Sequence, residues 1–132
     1  MNLLSWNIQG INSPNKEGIL KKKLLQDKLS IMMLQETKCL NYSLSDLGNN
    51  LWKGSKSISL DTNGAAWGIA ILWNPDEVIL SNFLTTTNYL STDFHIMGTK
   101  VRRAITNVYG PHTLAQKQSF LNTLHWIRDH IS

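Results

Sequence analysis

The chain has 132 residues, 42% of them hydrophobic and 17% charged, with a formal net charge of +4. That length fits one domain and not two, and the apolar share excludes an intrinsically disordered chain. Cys39 is the sole cysteine, which excludes an intramolecular disulfide framework and any argument from one for secretion. The modest positive excess favours a polyanionic partner such as nucleic acid, through steering and counterion release, without identifying one.

Residues 1–8 contain Leu3, Leu4, Trp6 and Ile8 and read as a strand buried on both faces. The stretch lacks a basic leader and is interrupted by Asn7, so no secretory signal is expected. No apolar run approaches a membrane span, and a nuclear or cytoplasmic protein with no membrane partner is the expectation. Residues 10–12 turn the chain. Ser13 followed by Pro14 is a helix start, with a side-chain acceptor at the N-cap and proline where no donor is needed. The helix is expected from 14 to about 28, with Ile19, Leu20, Leu24 and Leu25 as its apolar side. Three successive lysines, Lys21 to Lys23, cannot share one helix face and read as solvated surface.

Residues 31–37 (IMMLQET) form a second buried strand, expected to pair in parallel with the first. A short helix is expected within 43–52, weakened by Gly48. Residues 56–60 alternate as a strand, and 61–64 carry turn chemistry. The run 67–73 (WGIAILW) has strand length, and Asn74, Pro75 and Asp76 end it. Strands over 77–86, 89–97 and 100–109 follow, the last two joined by a hairpin turn at Gly98 and Thr99. From 60 to 109 the chain reads as an antiparallel meander. Thr113 and Gln116 make a capping-box pattern for a final helix over about 114–131.

Three segments end at the carboxyl edge of expected strands, where ligands gather in open α/β sheets. They are Ser5-Trp6-Asn7-Ile8-Gln9-Gly10, Leu34-Gln35-Glu36-Thr37 and Asn107-Val108-Tyr109-Gly110-Pro111. Taken singly, each has an ordinary reading: a solvated glutamate, a core-edge tyrosine, an asparagine serving a glycine turn. Together and in this order they resemble the front of the endonuclease/exonuclease/phosphatase superfamily. Residues 68–75 (GIAILWNP) are similar to the "GGxAILW" strand of LINE-type, non-LTR retrotransposon endonucleases of the plant kind, and Asn12-Ser13-Pro14-Asn15 fits the same group.

The resemblance implies an α/β fold, a partial four-layer α/β/β/α sandwich of deoxyribonuclease type with its carboxy-terminal part missing. It implies phosphodiester hydrolysis assisted by Mg2+ or Mn2+, weakly held, with DNA as partner. By position Glu36 matches the family's metal ligand, and Asn7 its asparagine that orients the glutamate or a phosphate oxygen. Tyr109 matches the tyrosine that contacts the scissile phosphate, and His112 stands where a polar DNA-contacting residue is often found. Asn7, Glu36 and Tyr109 are thus the expected catalytic set.

Two departures qualify the match. Trp67 and Gly68 stand where a glycine pair is expected. The later Gly-Asp-Phe-Asn and Ser-Asp-His segments, which position the attacking water and support metal and phosphate, occur nowhere in the chain. Residues 1–132 are therefore expected to be one incomplete domain, weakly active or inactive alone, with open strand edges that favour self-association. The alternatives are a non-catalytic nucleic-acid-binding module and a functionless remnant of a decayed element. Relatives acting on phosphoinositides, sphingomyelin or abasic DNA share the early motifs; the retrotransposon-like strand favours DNA. Two other acid–base pairings exist by spacing, Asp93 with His95 on a strand and His125 with Asp129 on the last helix, both outside the family's motifs.

Overall fold

The computed structural model describes residues 1–11, 15–38, 48–60, 68–86 and 89–108. In chain order they form β1 (Leu3–Asn7), α1 (Lys16–Asp27), β2 (Ile31–Gln35), β3 (Lys56–Leu60), β4 (Ile69–Trp73), β5 (Val78–Thr85), β6 (Tyr89–Ile96) and β7 (Arg102–Val108). One sheet has the order β1-β2-β4-β3 and the other β5-β6-β7. Strands β1 and β2 run parallel, with Asn7 opposite Gln35, so the expected β-α-β opening is present. The remaining pairs are antiparallel.

The meander expected over 60–109 is broken in two. Strand β4 pairs with β2 and β3, whereas β5 opens the second sheet. The crossing is made by the turn at 74–77, where Asn74 Oδ1 accepts the Asp76 amide (3.0 Å) and the Asn74 carbonyl accepts the Glu77 and Val78 amides (3.1 Å each). The Asn74 amide donates to the Ser30 carbonyl (3.0 Å), and the Ser30 hydroxyl donates to the Glu77 carboxylate, which pins the crossing to the base of β2. An asparagine whose side chain closes its own turn redirects the chain as readily as it makes a hairpin.

Two apolar layers hold the fold. Ile31, Met33, Ile69, Ile71, Trp73, Val78, Leu90 and Phe94 pack between the sheets. Ile8, Ile11, Leu20, Leu29, Met32, Leu34, Leu51, Ala70 and Leu72 pack on the other face of the first sheet, under α1. Alternation along β2 and β4 sends successive side chains into the two layers, which explains why both strands read as unbroken apolar runs. Residues 48–51 are helical, the described part of the short helix expected within 43–52, and lie close against β4, since a Cβ on Gly48 would stand 3.3 Å from Leu72.

Several sequence expectations are corrected. Strand β1 is not buried on both faces: among the described strands it is an edge strand whose residues alternate exposed and half-buried, with Leu4 and Trp6 packed under α1 and Leu3, Ser5 and Asn7 exposed. Helix α1 starts at Lys16 with Asn15 at the cap, φ 69°, rather than at the expected Pro14. Only Leu20 and Leu24 of its four leucines and isoleucines face the core, while Ile19 and Leu25 are exposed. Lys21 and Lys23 pair with Glu17 and Asp27 four residues away, as solvated surface charges do. The hairpin at Gly98 is as expected, with φ 75° and the Ile96 amide donating to the Val101 carbonyl (3.1 Å). The expected final helix lies outside the described residues.

Candidate active site at the carboxyl rim

Parallel pairing brings the ends of β1 and β2 to one rim, Asn7 beside Gln35 with Glu36 next in the chain. The ladder continues past the strands. Amides of Ile8, Gly10 and Ile11 donate to the carbonyls of Gln35 (3.0 Å), Glu36 (2.8 Å) and Thr37 (3.0 Å). From the other side the Thr37 amide donates to the Gly68 carbonyl (2.9 Å). The Glu36 peptide is thus gripped by the β1 extension on one flank and by the start of β4 on the other.

This grip holds an unfavourable backbone. Glu36 has φ 53°, Gln9 and Lys38 also have φ 53°, and Gly10 has φ 97°. Left-handed conformations at residues with a Cβ cost about 1–3 kcal/mol each and persist where the surroundings over-determine them. The Glu36 side chain is half-buried and Asn7 exposed, and among the described residues the Glu36 carboxylate has no ion pair or hydrogen bond. Thr37 Oγ1, beside it, is buried with no hydrogen-bond partner among the described residues.

Beneath the rim lies a polar bridge between the sheets. Asn107 of β7 is 1% exposed. Its Nδ2 donates to the carbonyls of Leu34 (3.0 Å) and Ala70 (2.8 Å), and its Oδ1 accepts from Gln35 Nε2 (2.7 Å). Gln35 Nε2 also reaches Ser5 Oγ (3.2 Å). The sequence places Asn107 on the expected strand over 100–109 and offers no reason to single out its side chain. Only the stacking of β7 over β2 and β4 reveals its long-range partners.

Lys16 was also missed. Its Nζ donates to the Ile8 carbonyl (2.7 Å) and stands 5.3 Å from the Trp6 ring centroid, closing the β1 end onto the first turn of α1. Its only sequence signal is its place directly after Asn12-Ser13-Pro14-Asn15. Tyr89 pairs with Val108 at the same end of the second sheet, and burial pushes its phenol above the ordinary value.

The structure brings Asn7 and Glu36 to one rim. Tyr109, His112, Cys39, His125 and Asp129 lie outside the described residues. Asp93 and His95 are each engaged locally: Asn82 Nδ2 donates to Asp93 (2.9 Å), and His95 Nε2 donates to the Thr99 carbonyl (2.7 Å). They form no acid–base pair with each other.

The motif resemblance implies a hard divalent cation at this rim. Among the described residues no three His, Cys, Asp or Glu side chains gather to cage a metal. One carboxylate without a partner among the described residues, with an amide side chain on the neighbouring strand, suits a cation of magnesium's kind, which keeps several waters and takes one or two protein carboxylates. The residues fit a weakly held ion. Among the described residues, no helix is long and apolar enough to cross a membrane.

No protein-family model and no curated protein sequence matches the chain. Solved structures do. The AP endonuclease from Archaeoglobus fulgidus aligns with TM-score 0.69 and 19% identity over 98% of this chain and 52% of that one. The endonuclease domain of TRAS1, a telomere-specific non-LTR retrotransposon, aligns with TM-score 0.69 and 16% identity over 97% and 54%. An endonuclease/exonuclease/phosphatase from Bacteroides vulgatus aligns with TM-score 0.68 and 12% identity over 97% and 59%. The two-sheet α/β fold is therefore that of the deoxyribonuclease-like endonucleases, as expected from the motifs. The chain spans a little over half the length of these solved chains.

Proposed function

We propose that the chain is the amino-terminal part of a metal-dependent DNA endonuclease domain of the non-LTR retrotransposon kind, one incomplete domain over 1–132, weakly active or inactive alone. The observation that carries the reading is the strained, doubly gripped Glu36 peptide, beside Asn7, at the carboxyl rim of a nuclease-type fold. Backbone strain of this kind clusters at functional sites. The likeness to an AP endonuclease and to a retrotransposon endonuclease supports the DNA partner, and so does the net charge of +4.

In this reading Glu36 holds Mg2+ or Mn2+, with Asn7 orienting the carboxylate or a phosphate oxygen. Tyr109 and His112 contact the phosphate backbone. The bound cation supplies neutralisation of charge building on the phosphate. Without the aspartate that positions the water, the rate loses a contribution typically worth ~10²–10⁴-fold. Nuclear or cytoplasmic residence and self-association through open strand edges complete the proposal.

The test is a nicking assay on supercoiled plasmid with Mg2+, paired with filter binding of duplex DNA across a salt series. The expected result is slow or no nicking, binding that weakens steeply with salt, and Glu36-dependent uptake of Mn2+. Robust nicking abolished by Glu36→Ala shows the chain to be a sufficient enzyme. Binding that is absent or indifferent to salt removes the DNA reading.

A further inference from the structure

We propose that Asn107 is a positioning residue, whose carboxamide fixes the peptide bearing Glu36 at the cation-holding rim. The proposal rests on the reading of Glu36 given above. Asn107 sits within β7 and is almost wholly buried, at a level where the sheets are otherwise joined by hydrocarbon. Apolar contacts resist separation of two sheets but only weakly resist sliding, whereas hydrogen bonds are directional and fix register.

The bonds fall where they matter for Glu36. Leu34 lies two residues before it on β2, and Asn107 Nδ2 donates to the Leu34 carbonyl (3.0 Å). Ala70 lies two residues after Gly68, whose carbonyl holds the Thr37 amide, and the same Nδ2 donates to Ala70 (2.8 Å). Asn107 therefore grips β2, the strand that leads into Glu36, and the strand β4 that flanks it. Its Oδ1 takes Gln35 Nε2 (2.7 Å), and Gln35 passes the link to Ser5 (3.2 Å), two residues before Asn7. One carboxamide thus registers β7 against the three strands whose ends present Glu36 and Asn7. A left-handed glutamate needs such over-determination, because its own preference is to leave that conformation.

The experiment compares the full chain with Asn107→Ala, Gln35→Leu, Glu36→Gln and Leu20→Ala. The last empties a buried site under α1, away from the bridge, and serves as a control for simple destabilisation. NMR order parameters of the Glu36 and Thr37 amides are measured well below the unfolding transition. They are expected to fall from about 0.85 to below about 0.6 in Asn107→Ala and to stay rigid in Leu20→Ala. Gln35→Leu, which keeps the bonds to Leu34 and Ala70, shows the same change at smaller size and decides the matter if Asn107→Ala fails to fold.

Mn2+ affinity, read by water proton relaxation, is expected to fall at least tenfold in Asn107→Ala and to stay within twofold in Leu20→Ala. Rigid Glu36 and Thr37 amides in both bridge variants overturn the proposal. So does an equal loss of order in Leu20→Ala, or a Glu36-dependent Mn2+ affinity that the bridge variants leave unchanged. If Glu36→Gln binds Mn2+ as the parent does, the cation reading falls, and the order parameters alone decide the positioning.

Discussion

The Glu36 carbonyl accepts the Gly10 amide at 2.8 Å while the φ of Glu36 stands at 53°. The hydrogen bond and the strained backbone belong to one arrangement, since the bond helps hold a conformation that costs a residue with a Cβ. Glu36→Gly removes that cost and deletes the carboxylate. It is expected to leave stability unchanged or raise it by about 1 kcal/mol in urea unfolding, while abolishing Mn2+ binding. A loss of more than about 1 kcal/mol would mean that the side chain serves the fold rather than a ligand.

The bridge at Asn107 makes a second prediction, about stability. Asn107→Ala leaves the Gln35 amide and two carbonyl lone pairs without their partner and opens space between the sheets. Buried unsatisfied groups cost about 1–3 kcal/mol each, so a total loss of about 3 kcal/mol or more is expected. Asn107→Asp is worse at neutral pH, because a carboxylate then faces the Leu34 and Ala70 carbonyls. Its folded-state pKa rises above the unfolded value, so its stability relative to the parent is best in acid and declines as pH rises through the raised pKa. Urea midpoints for parent and variant at pH 4 and pH 7 check the sign.

Lys16 and Lys22 differ in what their charges touch. Lys16 donates to the Ile8 carbonyl over the Trp6 ring, whereas Lys22 is exposed. Lys16→Met keeps the aliphatic stem and loses the charged hydrogen bond, for an expected cost of about 1–2 kcal/mol. Lys22→Met is expected within about 0.5 kcal/mol of the parent. Equal effects from the two substitutions would remove Lys16 from any account of the rim.

The opening β1-α1-β2 unit was legible because two apolar strands flank a segment with a proline start, and parallel pairing follows from the crossover. The outward faces of Ile19 and Leu25 were not legible, because apolar residues lie around much of α1 and only the stacked sheet selects Leu20 and Leu24. The split into two sheets was hidden for a related reason. A turn at 74–77 that crosses between sheets carries the same residues as one that closes a hairpin. Motif order singled out Glu36 and Asn7, and their shared rim follows from parallel register. The strand that carries Asn107 was legible, but the bridge it makes was not, because its partners lie 37 and more than 70 residues away.

Tyr89 gives a test in alkali. Burial raises its phenol above the ordinary value near 10, so the folded state favours the protonated form more than the unfolded chain does. That preference contributes stability fully below the unfolded pKa and loses it as pH rises through the folded one. Tyr89→Phe is therefore expected to lose less stability between pH 9 and pH 11.5, roughly the span over which a phenol titrates, than the parent does. Parallel curves for the two proteins would show that Tyr89 is not what limits the fold in alkali.

Strand β5 is an edge strand of the second sheet among the described strands, and Ile79, Phe83 and Leu84 on it are 47%, 41% and 37% exposed. An edge with free backbone groups and apolar side chains is a template for pairing with another copy. The break in register between Ser81 and Leu84 disrupts that edge locally, which leaves the stretch from Val78 to Ser81 as its regular part. Ile79→Lys puts a charge in that part, where pairing with a second β5 would bury it beside a like charge. The substitution is expected to lower the weight-average mass in sedimentation without changing the unfolding midpoint, because Ile79 already faces solvent. Phe83 is the less clean site, since its ring lies 6.2 Å from that of Trp73 and its removal disturbs the layer between the sheets. If the mass is unchanged by Ile79→Lys, self-association through the β5 edge drops out of the proposal.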